Sequence, residues 1–216
     1  MNTKILNITG GDVFNNYLLS KTEGESVPFR EVMMDGTTVE DIYSEEFIRV
    51  RSSELNVSVT EYRSNMSVYD ALRKNGYAEL RLWFGKDTFC QMNLLTLLAY
   101  LEQFSYCGRI ILNYIDDETF KTLEKNIEVE LGPYKKLYED ILIHKQLPRE
   151  TGILISEAIE LYFDYHSENG RLAQTVQDHS DKTPMELLCL LLEQSKAYGL
   201  SDIQVAKLIK KYKEFR

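Results

Sequence analysis

A chain of 216 residues that is 44% apolar and 27% charged holds enough material for one good hydrophobic core, which argues against a disordered polymer. Its 34 Asp and Glu against 25 Lys and Arg leave a formal net charge of −9, so the molecule as a whole repels nucleic acid and anionic membrane. Cys90, Cys107 and Cys189 are widely spaced and form no C-x-x-C pair, which excludes a zinc ribbon or a dithiol redox site; they read as buried free thiols in a reducing compartment.

The first residues, Met1 to Leu6, turn polar too soon for a secretory signal. The apolar clusters at 94–101 and 187–192 fall well short of the ~20 residues a membrane span needs. A cytoplasmic location is the expectation.

Four β-like runs occupy the first half. Lys4 to Thr9 is ended by Gly10-Gly11-Asp12, and a helical spacing follows from Val13 to Lys21. Ser26 to Val32 is the second run, with Pro28 pointing to a sheet edge or to a strand that starts after it. Between residues 37 and 65 the pattern is mixed: 39–50 has helical character and Val57 to Thr60 alternates like a strand. Ser67 is placed to cap a helix over Val68 to Lys74, with Gly76 past its end. Tyr77 to Phe84 is the third run, closed by Gly85-Lys86-Asp87, and Thr88 to Phe104 is apolar on most faces, as a helix buried on a sheet would be. Arg109 to Ile115 is the fourth, ending in Asp116-Asp117.

After about Glu118 the expectation is helix throughout, over 119–130, 134–145, 153–167, 184–196 and 202–215. Thr183-Pro184-Met185-Glu186 and Ser201-Asp202-Ile203-Gln204 are capping boxes. The predicted fold is therefore α/β: a parallel-dominated, Rossmann-like sheet with helices on both faces over residues 1–118, then an all-helical region over 119–216.

The two strand-ending loops that open helices are the most informative features. Ligands of open parallel sheets sit outside the carboxyl ends of the strands. A site is accordingly expected at Gly10, Gly11, Asp12, Arg30, Glu31, Trp83, Asp87 and Gln91, binding a small anionic molecule or a protein partner. Backbone amides and Arg30 would hold the anion, and Asp12 or Asp87 a hydroxyl, an amine or a divalent cation. Each feature has a plainer explanation: helix capping for the two aspartates, a surface pair for Arg30 and Glu31, and core packing for Trp83. Neither G-x-G-x-x-G nor G-x-x-x-x-G-K-[ST] occurs, so no nucleotide cofactor is named. His144, His166 and His179 match no metal-ligand spacing, and no metal site is assigned. Without a serine elbow, an enzyme here would use carboxylate acid/base chemistry on a phosphate-containing substrate.

From Lys196 onward six basic residues face two acids, and Lys207, Lys210 and Lys211 share one helix face, with Ile203, Ala206, Ile209 and Tyr212 towards the other. This is the only stretch that could meet DNA, and a solvated helix face has the same pattern. Apolar positions across Met185 to Leu192 offer either a homodimer contact or packing onto the sheet.

Ile5-Leu6-Asn7-Ile8-Thr9-Gly10-Gly11-Asp12, Arg30-Glu31 and Asp35-Gly36, the segment Leu82-Trp83-Phe84-Gly85-Lys86-Asp87 running on through Gln91 to Leu95, and Tyr198-Gly199-Leu200-Ser201-Asp202 together resemble the domain of unknown function 1835 family. Phe29 and Thr37 stand where that family usually has tryptophan and proline. The resemblance implies a bacterial α/β domain followed by helices and carries no activity; some relatives are labelled transcription regulators.

Overall fold

The computed structural model describes residues 4–74 and 76–213. Its centre is a five-stranded sheet in the order β2-β1-β3-β4-β5. Strands β1 (Ile5–Thr9), β2 (Glu25–Pro28), β3 (Glu79–Phe84) and β4 (Arg109–Ile115) run parallel, and β5 (Thr122–Glu128) is antiparallel to β4. The chain is thus α/β, with helices toward its C-terminal end. No helix among the described residues is long and apolar enough to cross a membrane.

Alternation along the strands gives the sheet two unlike faces. Leu6, Ile8, Leu80, Leu82, Phe84, Ile110, Leu112 and Tyr114 point to one side and join the main core. On that side lies α5 (Thr88–Gln103), whose residues from Cys90 to Leu101 are all buried. It is apolar all round because the sheet covers one flank and α6 (Tyr134–Tyr138, continued as a wider turn over Glu139–Ile143) and α7 (Ser156–His166) cover the other. Burying one leucine of that helix is worth roughly 1.5–3 kcal/mol. Only the short α1 (Asp12–Leu18) packs on the opposite face among the described residues, setting Phe14 and Leu18 against Ile115, Trp83 and Phe120.

The connection from β2 to β3 holds α2 (Glu45–Glu54), α3 (Val59–Asn65) and α4 (Ser67–Lys74). The strand-like alternation at Val57 to Thr60 is overruled because the Ser58 hydroxyl accepts from the amide of Glu61 and starts α3. Ser67 is the first residue of α4 rather than its cap, and Gly76 has φ of 55° just past that helix. Beyond α7, helices α8 (Arg171–Asp178), α9 (Pro184–Gln194) and α10 (Asp202–Lys213) stack on one another. Both expected capping boxes form, Thr183 with Glu186 and Ser201 with Gln204.

Several expectations are corrected. The helix expected over 119–130 is β5: the Asp116 carboxylate accepts from the amide and hydroxyl of Thr119, Phe120 takes φ of 58°, and the chain reverses into a hairpin. Glu124, Lys125 and Glu128 favour a helix by propensity but equally suit a charged sheet edge. A boundary at residue 118 therefore falls inside that hairpin, and the helical part begins at Tyr134. Strand β2 stops at Pro28, short of the expected Val32, and α8 has no counterpart in the sequence reading. Cys90 is buried, but Cys107 and Cys189 are exposed. On α10 the buried residues are Gln204, Val205, Leu208 and Ile209, and Ile203 is 65% exposed, so the packed face is turned from the one expected.

The segment after β2 is irregular yet tightly held. The Arg51 side chain is fully buried. Its Nη1 donates to the carbonyls of Asp35 (2.9 Å) and Thr37 (3.0 Å), its Nη2 to Val32 (2.9 Å), and its Nε to Glu31 Oε2 (3.3 Å). Glu31 Oε1 accepts from the Tyr62 hydroxyl, and the Asn93 side-chain amide donates to the Glu31 carbonyl. Replacing Arg51 with alanine would leave a buried carboxylate and three carbonyls unpaired, so urea denaturation should show a loss of about 3–5 kcal/mol. The exposed Arg49→Ala should stay within about 0.5 kcal/mol of the parent.

Candidate functional site

Three strand ends and one corner from the helical region surround a crevice of about 500 Å³. The Gly10 amide donates to the Trp83 carbonyl at 2.9 Å, which ties the ends of β1 and β3 together where the strand order reverses direction. Gly10, Gly11 and Asp12 form one wall, Asp87 and Cys90 the start of α5, and Asp117 and Glu118 the end of β4. The remaining wall comes from Leu192, Lys196, Gly199 and Leu200. Phe14, Phe89 and Phe120 make much of the surface apolar.

Two glycines have a steric reason to be there. A β-carbon on Gly85 would overlap the carboxylates of both Asp87 and Asp117. One on Gly199 would overlap Asp87 Oδ1, and Gly199 also holds φ of +69°, a left-handed conformation that other residues adopt at a cost. The Gly199 corner is held by the Thr88 hydroxyl, which donates to the Ala197 carbonyl at 3.3 Å.

Of the eight expected residues, four line the crevice: Gly10, Gly11, Asp12 and Asp87. Asp87 also caps α5, its Oδ1 accepting from the Cys90 amide at 2.9 Å. Arg30 stands behind Asp12. Its Nε and Nη2 donate to the Asp12 carboxylate at 2.7–3.0 Å and its Nη1 to the Asn65 carbonyl. Those hydrogen bonds hold the Asp12 carboxyl below the usual aspartate range, and they occupy the guanidinium that was expected to receive an anion. Glu31 is buried under the Arg51 cluster, away from the crevice. Gln91 is buried too, its Nε2 donating to the Gly85 carbonyl (2.8 Å) and its Oε1 accepting from the Ile155 amide (3.1 Å), so it joins the β3–α5 loop to the start of α7. Trp83 does not line the crevice; its carbonyl accepts from the Gly10 amide. Its indole lies on the opposite sheet face, against Phe14 and hydrogen-bonded to Asn7.

The residues missed in the sequence are Cys90 and Asp117. Ligand atoms of Asp87, Cys90 and Asp117 lie within 4.8 Å of one another, and the Cys90 thiol donates to Asp117 Oδ2 at 3.7 Å. Loss of water, followed by the nearby Asp87 charge, pushes the Asp117 carboxyl up to about 6, although the residue as a whole is open to solvent. Burial raises the Cys90 thiol well above its ordinary value, so it stays a neutral thiol. The two carboxylates can accept from a hydroxyl or ammonium, or hold a hard cation through oxygen. A partial signal for Asp117 lies in its place: it follows the fourth strand as Asp12 and Asp87 follow the first and third, but without the glycine that marks their loops. His166 and His179 are spent on the carbonyls of Met34 and Thr175. Lys207, Lys210 and Lys211 are exposed on α10.

Comparison with known proteins finds no matching family model, no matching curated protein and no matching solved structure.

The Asp117 environment has a signed consequence. Its folded-state value of about 6 lies above the ordinary aspartate value, so the folded state binds the proton more tightly. Stability from this group is full at low pH, falls as pH rises from about 4 to about 6, and is level above that. Asp117→Asn should therefore melt higher than the parent above pH 6, with the gap closing towards pH 4. Solvent screening should keep the difference under about 1 kcal/mol. Paired thermal melts across that range check it, and a gap that widens on acidification would contradict it.

Proposed function

We propose that the protein binds a small ligand in the crevice at the carboxyl ends of β1, β3 and β4. The ligand's hydroxyl or ammonium head, or a divalent cation that brings a phosphate, meets Asp87 and Asp117, and its apolar part rests on Phe89, Phe120 and Leu192. The observation that carries this reading is the convergence of three strand-end loops and the Gly199 corner on one apolar-walled crevice at the β1/β3 reversal. Rossmann-like sheets take their ligands at such a reversal. An uncomplexed anion is the less suitable guest, because Asp12, Asp87, Asp117 and Glu118 line the crevice against Lys196 alone, and Lys196 is itself paired with Glu193. Three of the segments that resemble the domain of unknown function 1835 family meet here, around Gly10, Gly85 and Gly199.

One feature favours a second reading, an enzyme using the same crevice. A carboxyl group with a value near 6 exchanges its proton close to neutral pH, as a general acid or base must. Asp117 would be that group.

Thermal-shift titrations with amines, polyols, and nucleotides or sugar phosphates with and without Mg²⁺ test the binding proposal. A ligand of the favoured kind at a hundredfold excess over its Kd should raise the melting temperature by about 5 °C or more. Asp117→Asn should weaken it about tenfold or more. No shift with any class, or binding only by metal-free anions that is indifferent to Asp117→Asn, would overturn the reading.

A further inference from the structure

The crevice at the carboxyl ends of β1, β3 and β4 combines uncompensated negative charge with bare carbon. Of its charged groups, Asp12 is paired with Arg30 and Lys196 with Glu193. Asp87 and Asp117 form no ion pair among the described residues. Their partners are neutral donors: the Cys90 amide on Asp87 Oδ1 and the Cys90 thiol on Asp117 Oδ2. A β-carbon on Gly85 would overlap Oδ2 of both acids, so these two oxygens converge over the glycine, and ligand atoms of the pair lie within 4.8 Å of each other. The same crevice is lined by Val13, which is 70% exposed, and by Phe89, Leu192 and Leu200, which the core covers only in part.

We propose that the ligand is a primary organic amine, its ammonium bridging Asp87 and Asp117 and its apolar body lying on Phe89, Leu192 and Leu200. This narrows the binding reading above, on which it rests, from three kinds of head group to one. An N–H···O hydrogen bond spans about 2.8 Å, so one nitrogen can bridge oxygens up to about 5.6 Å apart, and the two acids lie inside that limit. A hydroxyl fits the same gap but brings no charge to offset two neighbouring carboxylates. A hard divalent cation brings the charge, yet it keeps a shell of water or phosphate oxygens, and the phenyl and leucine side chains offer that shell no hydrogen bond. An alkyl or aryl ammonium satisfies both parts of the crevice, the head held by the acids and the body by the carbon wall. The Asp117 carboxyl, raised to about 6 by loss of water and then by the Asp87 charge, marks the same spot as one short of positive charge.

Isothermal titration of the full chain with n-propylamine through n-hexylamine, and with the matching alcohols, tests this. Each added methylene should tighten amine binding about threefold to fourfold. Each amine should bind about tenfold or more tightly than its alcohol. Asp117→Asn should remove most of that gap while leaving the alcohols within about twofold of the parent. Asp87→Asn, which keeps an oxygen for the Cys90 amide, should do the same. Thermal melts establish that each variant is folded, and if Asp117→Asn fails that check, Asp87→Asn decides. Amines that bind no better than their alcohols, show no chain-length trend or ignore the folded substitutions overturn the proposal. Binding of a polyol or a Mg²⁺–nucleotide that depends on Asp117, while every amine fails, also overturns it and leaves the crevice a ligand site. Silence from amines, alcohols, polyols and Mg²⁺–nucleotides alike overturns both.

Discussion

The buried guanidinium of Arg51 is the contact on which the rest of the arrangement depends. It closes the irregular segment between β2 and α2 by binding three of its carbonyls, and that segment is where the helical region attaches. Asp35 accepts from the Tyr165 hydroxyl of α7 and the Gln204 side chain of α10. The Met34 carbonyl meets His166, and the Met33 amide donates to Asn93 of the buried helix. A charge in the core is costly unless fully paired, and here Glu31, Tyr62 and the three carbonyls complete the pairing. Because the segment is fixed, α7 and α10 are fixed, and the chain between them carries Gly199 to Asp87.

The crevice gathers its groups from four separate stretches of chain. Gly10 to Asp12 and Gly85 to Asp87 come from neighbouring parallel strands, Asp117 from the next strand, and Gly199 from some eighty residues further on. Holding Asp87 and Asp117 close to each other and to a buried thiol is electrostatically unfavourable, which is visible in the raised Asp117 value. A molecule selected for stability alone has little reason to place two carboxylates and two close-fitting glycines together. Arg30 plays a supporting part by neutralising Asp12 at the rim.

The two sheet faces divide the work differently. The α5 side is a closed apolar core in which every inward side chain is covered by helix. On the α1 side Phe14, Leu18, Trp83, Ile115 and Phe120 pack together at the carboxyl end of the strands. Below that cluster Arg81, Arg109, Asn126 and Glu128 surround the buried Ile111 with charged and amide groups. The asymmetry follows from a single decision by the chain, to return from β4 as a hairpin rather than cross over once more.

How much was legible in the sequence follows from how local each determinant is. Strands β1, β3 and β4, the buried helix α5 and both capping boxes could be read directly, because alternation, apolar density and a hydroxyl three residues before Glu or Gln act within one turn or one strand. The loops at Gly10 and Gly85 were legible for the same reason, as glycine followed by an acid between a strand and a helix. Strand β5 was not, since Leu123, Glu124, Lys125 and Ile127 are compatible with a helix until Asp116 locks the turn and β4 offers an open edge. Glu31 and Gln91 looked like site residues because they sit next to site-forming loops. Only the approach of Arg51 from α2 and of Ile155 from the start of α7 draws them inward. Asp117, Cys90 and Gly199 meet Asp87 through contacts separated by 3 to 112 positions along the chain. The sequence by itself determined the α/β class, the helix starts and the glycine-acid loops. Tertiary structure alone decided which acids face one another, which arginine is buried and which sheet face the long buried helix covers, because those depend on long-range packing that no local pattern encodes.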